Sequence, residues 1–236
     1  DAAGRRAVAG MAKAGIAVID WRDADRPVVQ ATLDLGGTVQ DVAVRETIGL
    51  AALAEGEVAL FSLARPDLPR ILARVPLGGT PRGIALDGAL AYIAAGEAGL
   101  YVLDTSRPLA PIVLGHLPPA REDLAAVGVT LEGGKRLYLS AGAALTIVDV
   151  DSPDDPQLLA VLPIPAGAAA ARNFIVYAAG GPALTTINVS SSSAPEVLGR
   201  YRAAAAIRAV AGRGERVWLA GEGAGDGRGH AALDGA

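Results

Sequence analysis

Gly99-Leu100-Tyr101-Val102-Leu103-Asp104, with Pro111 seven residues beyond its aspartate, is the stretch from which the fold is read. Its apolar alternation ends on a polar side chain within a handful of residues, which suits a short strand rather than a helix. The pattern returns as Gly15 to Asp20, Glu57 to Ser62, Ala144 to Asp149 and Ala183 to Asn188, at spacings of 42, 42, 45 and 39 residues. Each copy is followed seven residues after its polar end by a proline: Pro27, Pro69, Pro111, Pro156 and Pro195. With 15 prolines in 236 residues, chance puts five at one preset offset roughly once in a million trials.

A second apolar alternation follows each proline, as in Val28 to Leu33 and Ile112 to Leu117. A turn of small residues (Gly36-Gly37-Thr38, Gly78-Gly79-Thr80-Pro81) then leads to a third strand and directly to a fourth, for example Gln40 to Val44 and Ile48 to Ala54. Four short strands in about 42 residues form the blade of a β-propeller. The expected fold is therefore all-β, a single propeller domain over 1–236 with blade units near 1–35, 39–77, 81–117, 124–162, 167–201 and 205–236. Four units hold all their strands, Val39 to Leu77, Pro81 to Leu117, Leu124 to Leu162 and Gly167 to Tyr201. Partial units lie at both ends, the first with three strands. Either a terminal strand closes the ring or the chain is a slice of a ring of six or seven blades. Ala231 to Asp234, beyond the glycines of 221–229, reads as a blade stopped before its outer strand and favours the slice.

Proline lacks an amide hydrogen and fixes its own φ, so it belongs at the start of an edge strand. Asp20, Ser62, Asp104, Asn188 and Asp149 precede the loop that swings out to that edge. There a side-chain oxygen can accept backbone N–H groups in an Asx or Ser turn. One such residue per blade at a fixed position is a structural device; an active site occurs once.

Leu145-Thr146-Ile147-Val148-Asp149-Val150 with Ser152-Pro153-Asp154-Asp155-Pro156, and Leu100 to Ser106 with Pro108 and Pro111, resemble the LVIVD-repeat proteins. These are bacterial and archaeal β-propellers often found in exported or cell-surface proteins. The resemblance spans about residues 13–201 and includes Val58 to Val75 with Pro66 and Pro69. It departs at Ala24 and Ser192, where the first proline of the pair is missing, and at Ser62 and Asn188, which replace Asp. It implies a fold and an extracellular, cell-surface or periplasmic location, and no particular reaction.

Composition narrows the chemistry. There is no Cys, so disulfides, thiol catalysis and thiolate metal sites are excluded, and His116 and His230 are the only imidazoles. The net charge of −4 comes with bases scattered singly, which argues against nucleic acid. The longest uncharged stretch, Asn173 to Pro195, is too polar to span a bilayer. The chain has no initiator Met and no basic, apolar leader, so it is expected to begin after processing or within a longer protein. Aromatics make up 4% of the residues, which makes a thin core for a β protein.

Propellers bind ligands where the loops leading into the inner strands converge. Matching Val42-Ala43, Ile84-Ala85 and Val210-Ala211 puts Gln40, Arg82 and Arg208 at one lead-in position, with Ala125 and Ala166 in the other two full blades. Two guanidinium groups at such a place suit an anion. Arg121-Glu122-Asp123 is the one dense charge cluster in a lead-in loop, and as a solvated loop it needs no ligand. His116 reads as an exposed histidine beside Pro118-Pro119. His230 follows Gly221 to Gly229, which lacks the Lys-Ser/Thr of a P-loop and the repeated acids of a calcium loop.

The expected function is a non-enzymatic scaffold that needs no cofactor or metal. It binds a protein or a small anionic ligand around Gln40, Arg82, Arg121 and Arg208. A lactonase- or lyase-like propeller would need a convergent His, Asp or Glu site. A carbohydrate-binding one would need equivalent aromatic platforms, and Trp21, Trp218 and the tyrosines read as unequally placed.

Overall fold

The computed structural model describes residues 2–3, 6–121, 124–133, 135–191, 194–213, 216–221 and 230–234. They fall into two compact units, Asp1–Pro118 and Pro119–Ala236. Among the described residues the regular structure is β except for one 3-10 turn, Ala12–Ala14.

In the first unit, the first sheet has β1 (Ala2–Ala3), β2 (Arg6–Gly10), β3 (Ile16–Asp20) and β4 (Val28–Leu33). The second has β5 (Val39–Arg45), β6 (Ile48–Leu53), β7 (Glu57–Ser62) and β8 (Arg70–Pro76). The third has β9 (Gly83–Asp87), β10 (Leu90–Ala94), β11 (Leu100–Asp104) and β12 (Ile112–Leu117). In the second unit, the fourth sheet has β13 (Gly128–Glu132), β14 (Arg136–Ser140), β15 (Leu145–Asp149) and β16 (Gln157–Leu162). The fifth has β17 (Ala168–Arg172), β18 (Ile175–Gly180), β19 (Ala183–Asn188) and β20 (Glu196–Arg202). The sixth has β21 (Ile207–Arg213), β22 (Arg216–Gly221) and β23 (His230–Asp234). Every sheet is an antiparallel meander in chain order. The first sheet differs from the three strands expected for it. The two-residue β1 pairs with β2, Ala2 opposite Ala7 and Ala3 opposite Arg6, and supplies a fourth.

Within each unit, neighbouring sheets meet at their first strands: β5 packs on β9, β13 on β17 and β17 on β21. Small side chains allow this approach, and Ala168 to Ala171 form most of β17 rather than a helix. The middle strands are buried on both faces. Ala51, Leu53, Ala59 and Phe61 pack with Val8, Ile16 and Val18, whereas Leu50, Ala52, Val58 and Leu60 pack with Ile84, Ala91 and Ile93. Burial on both faces explains why β6 and β7 are nearly continuous apolar runs.

Candidate functional site

The loops after the third strands are built alike. Asp20 Oδ1 accepts the Arg22 N–H (3.0 Å) and Ser62 Oγ that of Ala64 (3.2 Å). Asp104, Asp149 and Asn188 accept through Oδ1 from Ser106 (2.8 Å), Asp151 (2.9 Å) and Ser190 (3.0 Å). The residue before each proline then closes a turn on the carbonyl three positions back: Arg26 on Asp23, Leu68 on Arg65, Ala110 on Arg107, Asp155 on Ser152 and Ala194 on Ser191. Pro27, Pro69, Pro111, Pro156 and Pro195 each immediately precede an outer strand. The Ser106 N–H and side chain hold the Asp104 carboxyl below the ordinary aspartate range, and Arg22 does the same for Asp20. Ser192 lies outside the described residues.

At the lead-in end, the ladder register defines the equivalent positions. Val39 pairs with Leu53 and Asp41 with Ala52, so Gln40 is an extra, bulged residue. Arg208 is bulged in the same way between Ile207 and Ala209. Arg82 donates its N–H to Ala94 O (2.8 Å), the residue opposite Gly83. All three residues are exposed. In the other two sheets the same bond is made by Val127 to Ser140 O and by Gly167 to Ala179 O, each 2.7 Å. Val127 and Gly167, not Ala125 and Ala166, are therefore the counterparts of Gln40. The ladder bond sets the alignment, and the long loop ahead of β13 displaced it in the sequence.

Gln40 and Arg82 belong to the first unit, Arg121 and Arg208 to the second. Arg121 is exposed and its carbonyl accepts the Leu124 N–H (3.0 Å), while Glu122 and Asp123 lie outside the described residues.

Beside Gln40 lies a carboxylate that the sequence reading passed over. Asp41 Oδ2 accepts the Ile84 N–H of β9 and its Oδ1 the Val42 N–H, both at 2.8 Å. Burial pushes this carboxyl above the usual aspartate value, and the two amides pull it back. The other sheets place Gly83, Gly128, Ala168 and Ala209 in this register. Asp41 thus staples two inner strands at a register where the other sheets place Gly or Ala, and only its break in that pattern could have signalled it.

His116 stacks on Tyr101 at 4.3 Å between ring centroids and 19° between planes. Its Nε2 lies 2.7 Å from Ala98 O; a carbonyl only accepts, so Nε2 carries the proton. Tyr101 Oη accepts the Gly78 N–H at 3.2 Å. The imidazole thus fastens the outer strand to the loop before β11. The side chain of His230 and residues 222–229 lie outside the described part.

A cleft of about 570 Å³ opens at the hairpin end of the second unit, lined by Glu132, Lys135, Arg136, Arg172, Asn173 and Phe174 among others. Glu132 accepts the Phe174 N–H at 2.6 Å and the Tyr138 hydroxyl at 3.0 Å. Burial, then the Glu132 charge, raises the Tyr138 hydroxyl pKa well above its usual value. Arg136 donates to Val189 O (2.7 Å), and its guanidinium lies 5.6 Å from the Phe174 ring centre. Among the described residues no three His, Asp or Glu side chains gather as ligands for one ion, and no helix is long and apolar enough to cross a membrane.

The aromatics are more regular than they read. Tyr92, Tyr138, Tyr177 and Trp218 face Ala85, Thr130, Ala170 and Ala211 and occupy one register position in four sheets. Tyr92 and Tyr138 are fully buried, Tyr177 is half-buried and Trp218 is exposed; all four lie within second strands rather than at loop tips.

Residues 78–117, which contain the third sheet, match the LVIVD repeat family. No curated protein matches the chain significantly. Among solved structures 1226 chains match, so the fold by itself selects no activity. One is the crystal structure of the computationally designed Ika8 protein, with a TM-score of 0.69 and 14% identity over 94% of this chain. At that identity the likeness shows the fold alone, and the chain spans 66% of the length of that structure.

Proposed function

We propose that this chain, which carries an LVIVD repeat at residues 78–117, is a β-propeller scaffold that binds a partner without turning it over. Its four-stranded sheets are the blades, and its contact residues are Gln40 and Arg82 in the first unit and Arg121 and Arg208 in the second. One observation carries this reading. At one ladder position, bulged at Gln40 and Arg208, the residue changes from Gln40 to Arg82, Val127, Gly167 and Arg208, while the ladder around it repeats. A rigid frame with one variable position per repeat, exposed at Gln40, Arg82 and Arg208, is suited to holding a specific surface. The arginines favour an acidic protein surface or a small anionic ligand. The resemblance to exported propellers supports an extracellular, cell-surface or periplasmic location.

Because exposed charge acts mainly through steering, Arg82→Glu with Arg208→Glu should weaken capture of the partner and flatten its salt dependence, leaving the thermal midpoint in place. Affinity capture at low and high salt, quantified against wild type, checks this. The same proteins captured at the same salt by the double variant would place the contact elsewhere. Metal-dependent hydrolysis by the purified chain, abolished by a chelator, would replace the non-enzymatic reading with the enzymatic one.

A further inference from the structure

The turn joining β17 to β18 is made of Asn173 and Phe174, both in the left-handed region at φ +50° and +61°. A two-residue hairpin of this kind usually has glycine second, because a bulky side chain at positive φ is strained. Among the described residues this is the only hairpin turn between a first and a second strand with two non-glycine left-handed residues. Core packing does not account for the phenylalanine. The residue is 52% exposed, and the Arg136 guanidinium lies over its ring. The strained backbone is nonetheless fixed on both sides: Glu132 Oε1 takes the Phe174 N–H, and the Phe174 carbonyl accepts the Val189 N–H at 2.8 Å. Strain held in place around an exposed ring points to a use for the ring.

The surrounding charge indicates what that use is. The cleft wall carries Lys135, Arg136 and Arg172 against one carboxylate, Glu132, on a chain whose net charge is −4. Glu132 is already engaged by Phe174 N–H and Tyr138, and Lys135 lies 2.8 Å from Asp151. Arg172 is exposed and its guanidinium has no protein partner among the described residues; Arg136 spends Nη1 on Val189 O. Leu131, Ala171 and Phe174 supply the apolar part of the wall. We infer that this cleft, distinct from the lead-in positions, binds a small aromatic carboxylate, its ring on Phe174 and its carboxylate on the guanidinium groups of Arg172 and Arg136. A planar fork of donors matches a carboxylate, and a ring face offers sequence-independent stacking area.

Phenylacetate is the probe, titrated into the 236-residue chain and followed by amide chemical shifts, with acetate and benzyl alcohol as controls. The expected result is a saturable shift centred on 131–136 and 171–174, with each control at least about tenfold weaker, since each lacks one of the two recognition elements. Phe174→Gly should keep or raise the thermal midpoint, because glycine accepts φ near +60°, while weakening phenylacetate about tenfold or more. Arg172→Ala should leave the midpoint unchanged with a similar loss of binding. Acetate shifting the same amides as strongly as phenylacetate would overturn the proposal, as would shifts confined to other sheets. A midpoint lowered by Phe174→Gly would overturn it too, by making the ring a packing residue.

Discussion

Tyr92 and Tyr138 occupy equivalent positions in β10 and β14, yet their hydroxyls have opposite fates. Tyr138 donates to Glu132 at 3.0 Å, whereas Tyr92 Oη is buried with no hydrogen-bond partner among the described residues. A satisfied buried hydroxyl contributes about 1 kcal/mol, and an orphaned one costs a similar amount. Tyr138→Phe should therefore destabilise by about 1–2 kcal/mol, and Tyr92→Phe should be neutral or stabilising. Urea denaturation of the two variants checks the difference in sign. Individual side chains differed in how far they could be read. Asp104 and Asp149 stood out because an Asx turn is local: an oxygen, an amide two residues on and a proline all lie within seven positions. The tyrosine row did not, because Tyr92, Tyr138, Tyr177 and Trp218 are spaced 46, 39 and 41 residues apart. The long loop 118–127 ahead of β13, with one extra residue in the hairpin between Glu132 and Arg136, breaks the count. Phe174 gave no signal at all, since its φ and its contact with Glu132 depend on the adjacent sheet.

Strands and their pairings carry two devices that recur. In five sheets the ladder between third and fourth strands slips at one residue: Gln30, Leu72, Leu114, Leu159 or Leu198 is extra, always three positions after the proline. A bulge in an outer strand bends that strand and blunts an edge that would otherwise template pairing. Edge protection matters here because Ile112, Val113, Leu158 and Leu198 are all exposed. The strands themselves were legible from alternation and from Pro and Gly boundaries, but bulges were not, because an extra residue leaves the apolar pattern intact.

The second device is volume exchange across β-pairs. Gly49 faces Phe61, Ala91 faces Leu103, Leu137 faces Val148 and Val176 faces Ile187, so a large partner sits opposite a small one and medium opposite medium. A methyl group on Gly49 would overlap the Phe61 ring, which is fully buried. Gly49→Ala should cost about 1–3 kcal/mol by overpacking. Adding Phe61→Leu, which copies the Ala91–Leu103 pair, should recover at least about 1 kcal/mol of that in a double-mutant cycle. Additive costs would mean the sheets are not interchangeable in this way.

Across the chain, a repeat of about 42 residues is enough to specify sheets, because each period brings its own turn anchor, edge proline and apolar middle strands. What the period does not specify is the partner. The proposed contacts lie at positions that break the repeat, Gln40, Arg82 and Phe174 among them, whereas Asp41 breaks it as a staple between inner strands. On the proposed reading Asp149 serves the frame and Arg82 the surface. The direct test is partner capture measured beside the unfolding midpoint for Asp149→Ala and for Arg82→Glu with Arg208→Glu, each at a temperature where it is folded. Asp149→Ala should lose about 1–2 kcal/mol of stability through unsatisfied loop amides and capture as wild type does, while the charge-reversed protein keeps its midpoint and loses capture. An Asp149→Ala protein with an unchanged midpoint and no capture would contradict this and move the repeated aspartates from the frame to the chemistry.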